Sequence, residues 1–346
     1  MTAEDLYMHR CLDLAQTGGG RVAPNPMVGA VLVHDHKIIG EGFHAAFGEA
    51  HAEVHAIHAA IKNGYGPLLE KATLYVNLEP CSHTGKTPPC TDLILEKRIP
   101  AVVIGCADPN VFVNGRGIQK LKAGGVAVRT GVLEPACLKL NKRFITFHTH
   151  KRPYLLIKFA QSADRFMAPL SRAPLKFSGP LTDTLVHKWR SEESGIMAGA
   201  GTIAADDPQL TVRKWEGKNP VRITVDRNLR LPAGAKIFDG TAPAVVFNAI
   251  KDATAGTTEY VKIDFKSFVY RQVMDKLFER NLLSVMIEGG RVLINGLLEE
   301  NLWDEARIIQ SGIYLGEGIP APDISGRLVS ETTLTGDRIT NIERIN

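Results

Sequence analysis

No segment of the 346-residue chain approaches the roughly 20 consecutive apolar residues that a membrane-spanning helix needs. The first turns carry Glu4, Asp5, His9 and Arg10 where an export signal would carry an apolar core, so a non-secreted, cytoplasmic protein is expected. There is no internal repeat and no low-complexity tract. Nor is there a charge skew: residues 1–146 and the remainder of the chain each carry a net +2. A strongly basic face would need such a skew, so neither nucleic acid nor membrane is an expected partner. The second half also lacks soft metal ligands. All five cysteines (Cys11, Cys81, Cys90, Cys106, Cys137) and ten of the eleven histidines precede residue 151, leaving only His187 beyond. In a reducing compartment, Cys and His found together mean metal more often than disulfide.

What is present is the composition of a soluble globular protein, 44% apolar and 23% charged. At roughly 150 residues per domain the length predicts two domains. Apolar periodicity predicts a helix over 3–16, strands at 28–33 and 38–43, a helix at 51–63, strands at 73–78 and 101–106, a helix at 116–123 and a strand at 126–130. The basic, irregular stretch 141–153 reads as a linker, with domains at 1–146 and 147–346. Beyond it, strands are predicted near 154–160, 195–199, 221–226, 244–248, 283–288 and 305–311, with helices near 183–193, 267–280 and 291–300. Strands alternating with helices make both domains α/β.

The strongest local pattern is His51-Ala52-Glu53 followed by Pro80-Cys81 and Cys90. A catalytic zinc takes three N/S ligands and keeps one position open for water, whose pKa it lowers to about 7. His51, Cys81 and Cys90 supply that set, and Glu53, two residues on, is placed to shuttle protons without binding metal. His-x-Glu with Pro-Cys and a further Cys is the arrangement of zinc deaminases. The two cysteines stand nine apart instead of three, which leaves a loop able to carry substrate contacts. His55 and His58 read as packing or surface residues.

Several segments together carry a family resemblance: Pro24-Asn25-Pro26, Gly40-Glu41-Gly42 with His44, Glu79 through Cys90, Asp108-Pro109-Asn110 and Gly115-Arg116-Gly117. They resemble the bifunctional riboflavin-biosynthesis deaminase-reductases. The resemblance implies a cytidine-deaminase-like, three-layer α/β/α first domain acting on 2,5-diamino-6-(5-phosphoribosylamino)pyrimidin-4-one, a small phosphoribosyl-pyrimidine. It places Asn25, His44, Lys86, Asp108 and Asn110 around that substrate.

In the second half, Gly199-Ala200-Gly201-Thr202-Ile203-Ala204 formally matches a dinucleotide fingerprint. Pro208 would break the helix such a fingerprint opens, so a Rossmann topology is rejected. Glu288-Gly289-Gly290-Arg291, between a strand and a helix, is a second candidate phosphate turn. The same resemblance implies a dihydrofolate-reductase-like α/β domain that uses NADPH to open the ribosyl group to ribityl. It assigns Gln161, Lys176, Thr202, Asp206, Arg227, Gly290, Arg291 and Gly296 to the cofactor, and Arg190, Leu210, Arg213 and Glu288 to substrate. Arg190 and Arg213 read as a guanidinium fork for the 5-phosphate. Asp164 is the candidate proton donor. The family's Ser-x-Asp-Gly is Ser162-Ala163-Asp164-Arg165 here, and Arg165, Lys176 or Arg227 is a candidate partner of the NADPH 2′-phosphate. Apolar edge strands and the resemblance lead to an expected dimer or tetramer. A nucleic-acid base deaminase with an appended domain and a zinc-stabilised binding scaffold are the alternative readings.

Overall fold

A computed structural model describes residues 2–83, 88–110, 113–171 and 175–345, so Lys86 lies outside the described residues. The chain divides into two units, Met1–Lys151 and Arg152–Asn346.

In the first unit, α1 (Ala3–Gln16) starts at a reciprocal cap in which Thr2 and Asp5 each bond the other's backbone N–H. Strands β1 (Gly29–His34) and β2 (Lys37–Phe43) form an antiparallel pair, and α2 (Ala52–Lys62) lies against them. That approach is unusually close because the facing residues are small. A side chain on Gly40 would overlap the Ala56 carbonyl, and one on Gly42 would overlap His55. Ala52, Ala56 and Ala60 complete the seam, which fixes where α2 begins.

The unit continues through β3 (Thr73–Leu78), α3 (Cys90–Glu96), β4 (Ala101–Cys106), α4 (Arg116–Ala123), β5 (Ala127–Thr130), α5 (Glu134–Leu140) and α6 (Lys142–His150). Its sheet runs β2-β1-β3-β4-β5, with β3, β4 and β5 parallel. Helices α1 and α5 cover one face and α2, α3 and α4 the other. The stretch expected to be an irregular linker is mostly α6, and the 146/147 boundary falls inside that helix. Phe144 and Phe147, one turn apart, are buried and anchor it despite its basic flanks.

The second unit is built from β6 (Tyr154–Gln161), β7 (Phe166–Ala168), α7 (Pro180–Glu192), β8 (Gly195–Gly199), α8 (Ala200–Asp206), β9 (Val221–Val225), β10 (Ala244–Asn248), β11 (Ala253–Ala255) and β12 (Thr258–Lys262). It then adds α9 (Val269–Glu279), β13 (Ser284–Ile287), α10 (Arg291–Glu299), β14 (Glu305–Gln310), β15 (Ile319–Pro320), β16 (Arg327–Leu334) and β17 (Asp337–Glu343). Ten strands form one sheet in the order β11-β12-β10-β9-β8-β13-β6-β14-β17-β16. The seven strands from β12 to β14 are parallel. The antiparallel β16–β17 hairpin closes one edge. Helix α8 ends after seven residues, as Pro208 requires, and the strand order is not that of a Rossmann sheet. In a parallel sheet the carboxyl ends of the strands are where ligands bind. Glu288 and Gly290 follow β13 there, and Thr202 lies just beyond β8.

Candidate active sites

Because α2 is seated so closely on β2, its N-terminus delivers His51 and Glu53 to a cavity of about 220 Å³. His51 Nδ1 lies 3.5 Å from Cys81 Sγ and 3.3 Å from Cys90 Sγ. The three ligand atoms fall within 4.8 Å of one another. The Cys90 N–H donates to Cys81 Sγ at 3.3 Å. Hydrogen bonds from Cys90 and His51 outweigh burial and hold the Cys81 thiol far below its usual range, at about 4. A thiolate, a second sulfur and an imidazole converging from three elements fit zinc in number and softness.

Glu53 is buried and its Oε2 has no hydrogen-bond partner among the described residues. Burial pushes its carboxyl up. An orphaned carboxylate oxygen in a cavity beside a metal-ligand set is what a proton shuttle requires. His44 Nδ1 faces the Ala50 carbonyl at 3.1 Å and its Nε2 faces Asn25 Nδ2 at 3.1 Å. The carbonyl can only accept, so Nδ1 carries the proton and Nε2 accepts from Asn25. This leaves the Asn25 amide oxygen for a ligand.

Asn25, His44, His51, Glu53, Cys81, Asp108 and Asn110 all line this one cavity. Burial raises Asp108 to about 7. Sequence reasoning missed Phe47, Glu49 and Phe144, which also line it, the last from the supposed linker. It also missed what Glu79 does. Its carboxylate accepts the N–H groups of Asp108, Gly115, Gly117 and Ile118 at 2.9–3.2 Å, pinning the Asp108 loop to the start of α4. Asn77 and Asn141 similarly clamp the backbone just after Asn25, by bonds to Met27 and Gly29.

In the second unit Arg190 of α7 donates from Nε and Nη2 to both oxygens of Glu288, at 2.6 and 2.9 Å. Lys158 of β6 lies 3.5 Å from the same carboxylate. Burial alone would raise Glu288, but the two cations dominate and hold it at about 2. The phosphate fork is therefore corrected: Arg190 already grips Glu288 and, through Nη1, the Thr211 carbonyl at 3.1 Å. Arg213 is nearby, its Nη1 on Thr211 Oγ1 and its N–H on His187 Nδ1. Burial, reinforced by Arg190 and Arg213, depresses His187 to about 4, so it is a neutral imidazole.

Other expected residues fall into distinct groups. Thr202 Oγ1 accepts the Gly290 N–H at 3.0 Å, joining the two candidate turns, with Arg291 exposed at the first position of α10. Gln161 closes β6 and is buried, and Asp206 is exposed at the end of α8. Leu210 is corrected: its side chain is buried in an apolar cluster with Ile196, Ile203 and Ile237, leaving only backbone to face a ligand. Gly296 is corrected too. It sits inside α10 and is small because Tyr270 packs on it, not because phosphate approaches.

Asp164 is not poised to give up a proton. The Ser162 hydroxyl donates to it at 2.6 Å and the N–H groups of Leu315 and Gly316 at 3.1 and 2.7 Å, which hold it as a carboxylate. It closes a turn against residues 315 and 316. The neighbouring Arg165 stands where the resembled family has glycine, and its φ of +66° explains that preference as a left-handed turn. Arg165 pairs with Asp323, and Lys176 with Asp183, whereas Arg227 stacks on Phe265.

Comparison with known proteins matches residues 1–106 to the cytidine and deoxycytidylate deaminase zinc-binding region and 153–344 to the RibD C-terminal domain. The riboflavin biosynthesis protein RibD of Aquifex aeolicus is 36% identical over 331 residues, covering 94% of this chain and 92% of that protein. RibD of Bacillus amyloliquefaciens is 36% identical over 332 residues, covering 93% and 88%. The crystal structure of a Thermotoga maritima diaminohydroxyphosphoribosylaminopyrimidine deaminase/5-amino-6-(5-phosphoribosylamino)uracil reductase superposes with a TM-score of 0.90 at 37% identity, covering 99% of each chain. The first unit is thus cytidine-deaminase-like and the second dihydrofolate-reductase-like. With both halves matched in order along nearly their full length, the chain belongs to the RibD family of riboflavin biosynthesis proteins.

Proposed function

We propose that the chain carries out two consecutive steps of riboflavin synthesis: hydrolytic deamination of 2,5-diamino-6-(5-phosphoribosylamino)pyrimidin-4-one, then NADPH-dependent reduction of the ribosyl group of the product to ribityl. The observation that carries the first step is Glu53 Oε2, without a hydrogen-bond partner among the described residues, on a carboxylate that lines a cavity beside the His51–Cys81–Cys90 cluster. Zinc held by those three residues supplies the Lewis acidity that makes water nucleophilic at neutral pH. Glu53 takes the proton released as water adds to the ring carbon bearing the amino group. It passes that proton to the adjacent ring nitrogen and then carries the hydroxyl proton to the amine, which leaves as ammonia while the ring carbonyl forms. His44 and Asn25 read the pyrimidine edge, and Asp108 and Asn110 the sugar side; Lys86 is assigned to the phosphate.

For the second step NADPH supplies hydride to the ribose carbon. Lys158, in place of Asp164, is the group we assign to proton delivery at the sugar oxygen, because it is the ammonium donor beside Glu288 at the sheet's carboxyl edge. Arg190 and Glu288 fix that floor, Arg213 and the Leu210 backbone face substrate, and Thr202, Asp206, Gln161, Gly290 and Arg291 face the dinucleotide. No helix among the described residues is long and apolar enough to cross a membrane, and the five cysteines are free, which supports a cytoplasmic setting. Assembly as a dimer or tetramer belongs to the same reading, supported by the exposed edge strand β16.

Incubating zinc-loaded protein with the diaminopyrimidine ribotide, with and without NADPH, and following ammonia and NADPH oxidation separately tests both steps. Ammonia release without NADPH and oxidation only after deamination are expected. An inert zinc-loaded protein removes the reading.

A further inference from the structure

His187 is the one histidine beyond residue 150, and neither reaction above uses it. It stands in α7 between Asp183 and Arg190, at spacings of four and three residues that put the three side chains on one face of the helix. That face holds one segment of chain, residues 211–214, at three points. Arg190 Nη1 donates to the Thr211 carbonyl at 3.1 Å, His187 Nδ1 accepts the Arg213 N–H at 3.0 Å, and the Asp183 carboxylate accepts from Lys214 Nζ at 3.0 Å. A fourth bond, from the Val212 N–H to Asn219 Oδ1 at 2.8 Å, closes the segment into a loop.

These contacts differ in what they fix. Lys214 is exposed, and an ion pair of that kind is weak. Arg190 reaches the loop two residues short of Arg213, whereas His187, only 5% exposed, bonds the backbone of Arg213 itself. A backbone N–H can only donate, so Nδ1 is the bare nitrogen and the ring proton sits on Nε2. Burial, Arg190 and Arg213 keep the ring uncharged, which preserves that lone pair. The Arg213 side chain is exposed, and among the described residues its guanidinium has one hydrogen-bond partner, the Thr211 hydroxyl at 2.9 Å. Its remaining donors are available to an anion. We propose that His187 is a positioning residue for substrate: by accepting the Arg213 N–H it sets the Arg213 guanidinium where the phosphate-bearing sugar of the deaminated ribotide docks. The proposal rests on the reductase reading above, in which Arg213 faces substrate.

The test follows NADPH oxidation by the full chain with the deaminated ribotide as substrate. His187→Leu keeps a side chain of similar bulk and deletes the acceptor. The KM for the ribotide is expected to rise roughly 10- to 100-fold, the value of a hydrogen bond whose donor is left unsatisfied, with kcat and the KM for NADPH within about threefold of wild type. His187→Asn places Oδ1 at the same reach from Cα as Nδ1, at similar helix propensity, and should restore the ribotide KM to within about threefold. Arg213→Ala keeps the backbone N–H but removes the guanidinium, so adding His187→Leu to it should raise KM by less than about threefold more. A role in packing alone would raise KM as much in that background as in wild type. Unchanged ribotide KM in the Leu variant, or additive effects of the two substitutions, overturns the proposal. Thermal melting separates loss of fold from loss of placement; should the Leu variant not fold, an Asn variant of wild-type stability whose ribotide KM is raised more than about threefold overturns it instead. A wild-type chain that does not oxidise NADPH with this substrate removes the reductase reading itself.

Discussion

Arg190 and Glu288 form a two-point ion pair, Nε to Oε1 at 2.6 Å and Nη2 to Oε2 at 2.9 Å, with both side chains about 11% exposed. Removing one partner leaves a charge in a poorly solvated place. Arg190→Met should destabilise the fold toward the lower end of roughly 3–5 kcal/mol, because Lys158 remains beside the stranded carboxylate. Urea unfolding monitors this. A loss under about 1 kcal/mol, with only the KM for substrate raised, would restore Arg190 to the phosphate-binding role that the sequence suggested.

The same carboxylate makes a pH prediction. The folded-state value of Glu288 is about 2 against an ordinary 4.5, so its contribution is fully present above pH 4.5 and is lost as pH falls toward 2. The stability of wild type minus that of Glu288→Gln should therefore shrink across that window and stay flat from pH 5 to 7. A difference that instead changes between pH 6 and 8 would point to another group.

Glu53→Gln keeps size and burial but removes the proton acceptor. Ammonia release should fall by at least about 10²- to 10⁴-fold. Zinc content, read by atomic absorption, should stay at the wild-type level, since Glu53 is not among the clustered ligand atoms. Reduction of already deaminated substrate should continue. Loss of zinc in this variant contradicts the assignment.

Arg165 holds φ at +66°, a conformation that costs a residue with a Cβ about 1–2 kcal/mol. Arg165→Gly should therefore match or exceed wild-type stability by up to about 1 kcal/mol, part of the relief being offset by the glycine's unfolded-state entropy. Arg165→Ala, which keeps the Cβ, should gain nothing. Identical melting temperatures for the two variants would show that backbone conformation is not what separates this chain from the glycine-bearing pattern.

The elements that could be read in advance are those whose burial is continuous or periodic. β10 is buried at all five positions and appears in the sequence as an apolar run, Ala244 to Phe247. β16 is exposed along nearly its whole length, so Arg327 to Leu334 offers no pattern, and only its pairing with β17 makes it a strand. The clustering of His51, Cys81 and Cys90 was legible because metal-binding chemistry restricts residue types. Roles set by distant chain were not. Nothing near Asp164 announces that residues 315 and 316, some 150 positions on, return to donate to it. Gly296 shows the opposite error: a glycine near a phosphate turn reads as a ligand contact, although Tyr270 on another helix is what demands it.

Phe144 has a practical consequence for dissecting the gene. The stretch matching the zinc-binding region stops at residue 106, short of Asp108, Asn110 and Phe144 in the cavity wall and of Asn141, which clamps the Asn25 loop. A fragment cut there, or at residue 146 within α6, carries the His51–Cys81–Cys90 cluster yet only part of the pocket. A free-standing deaminase made from this chain should run through Lys151.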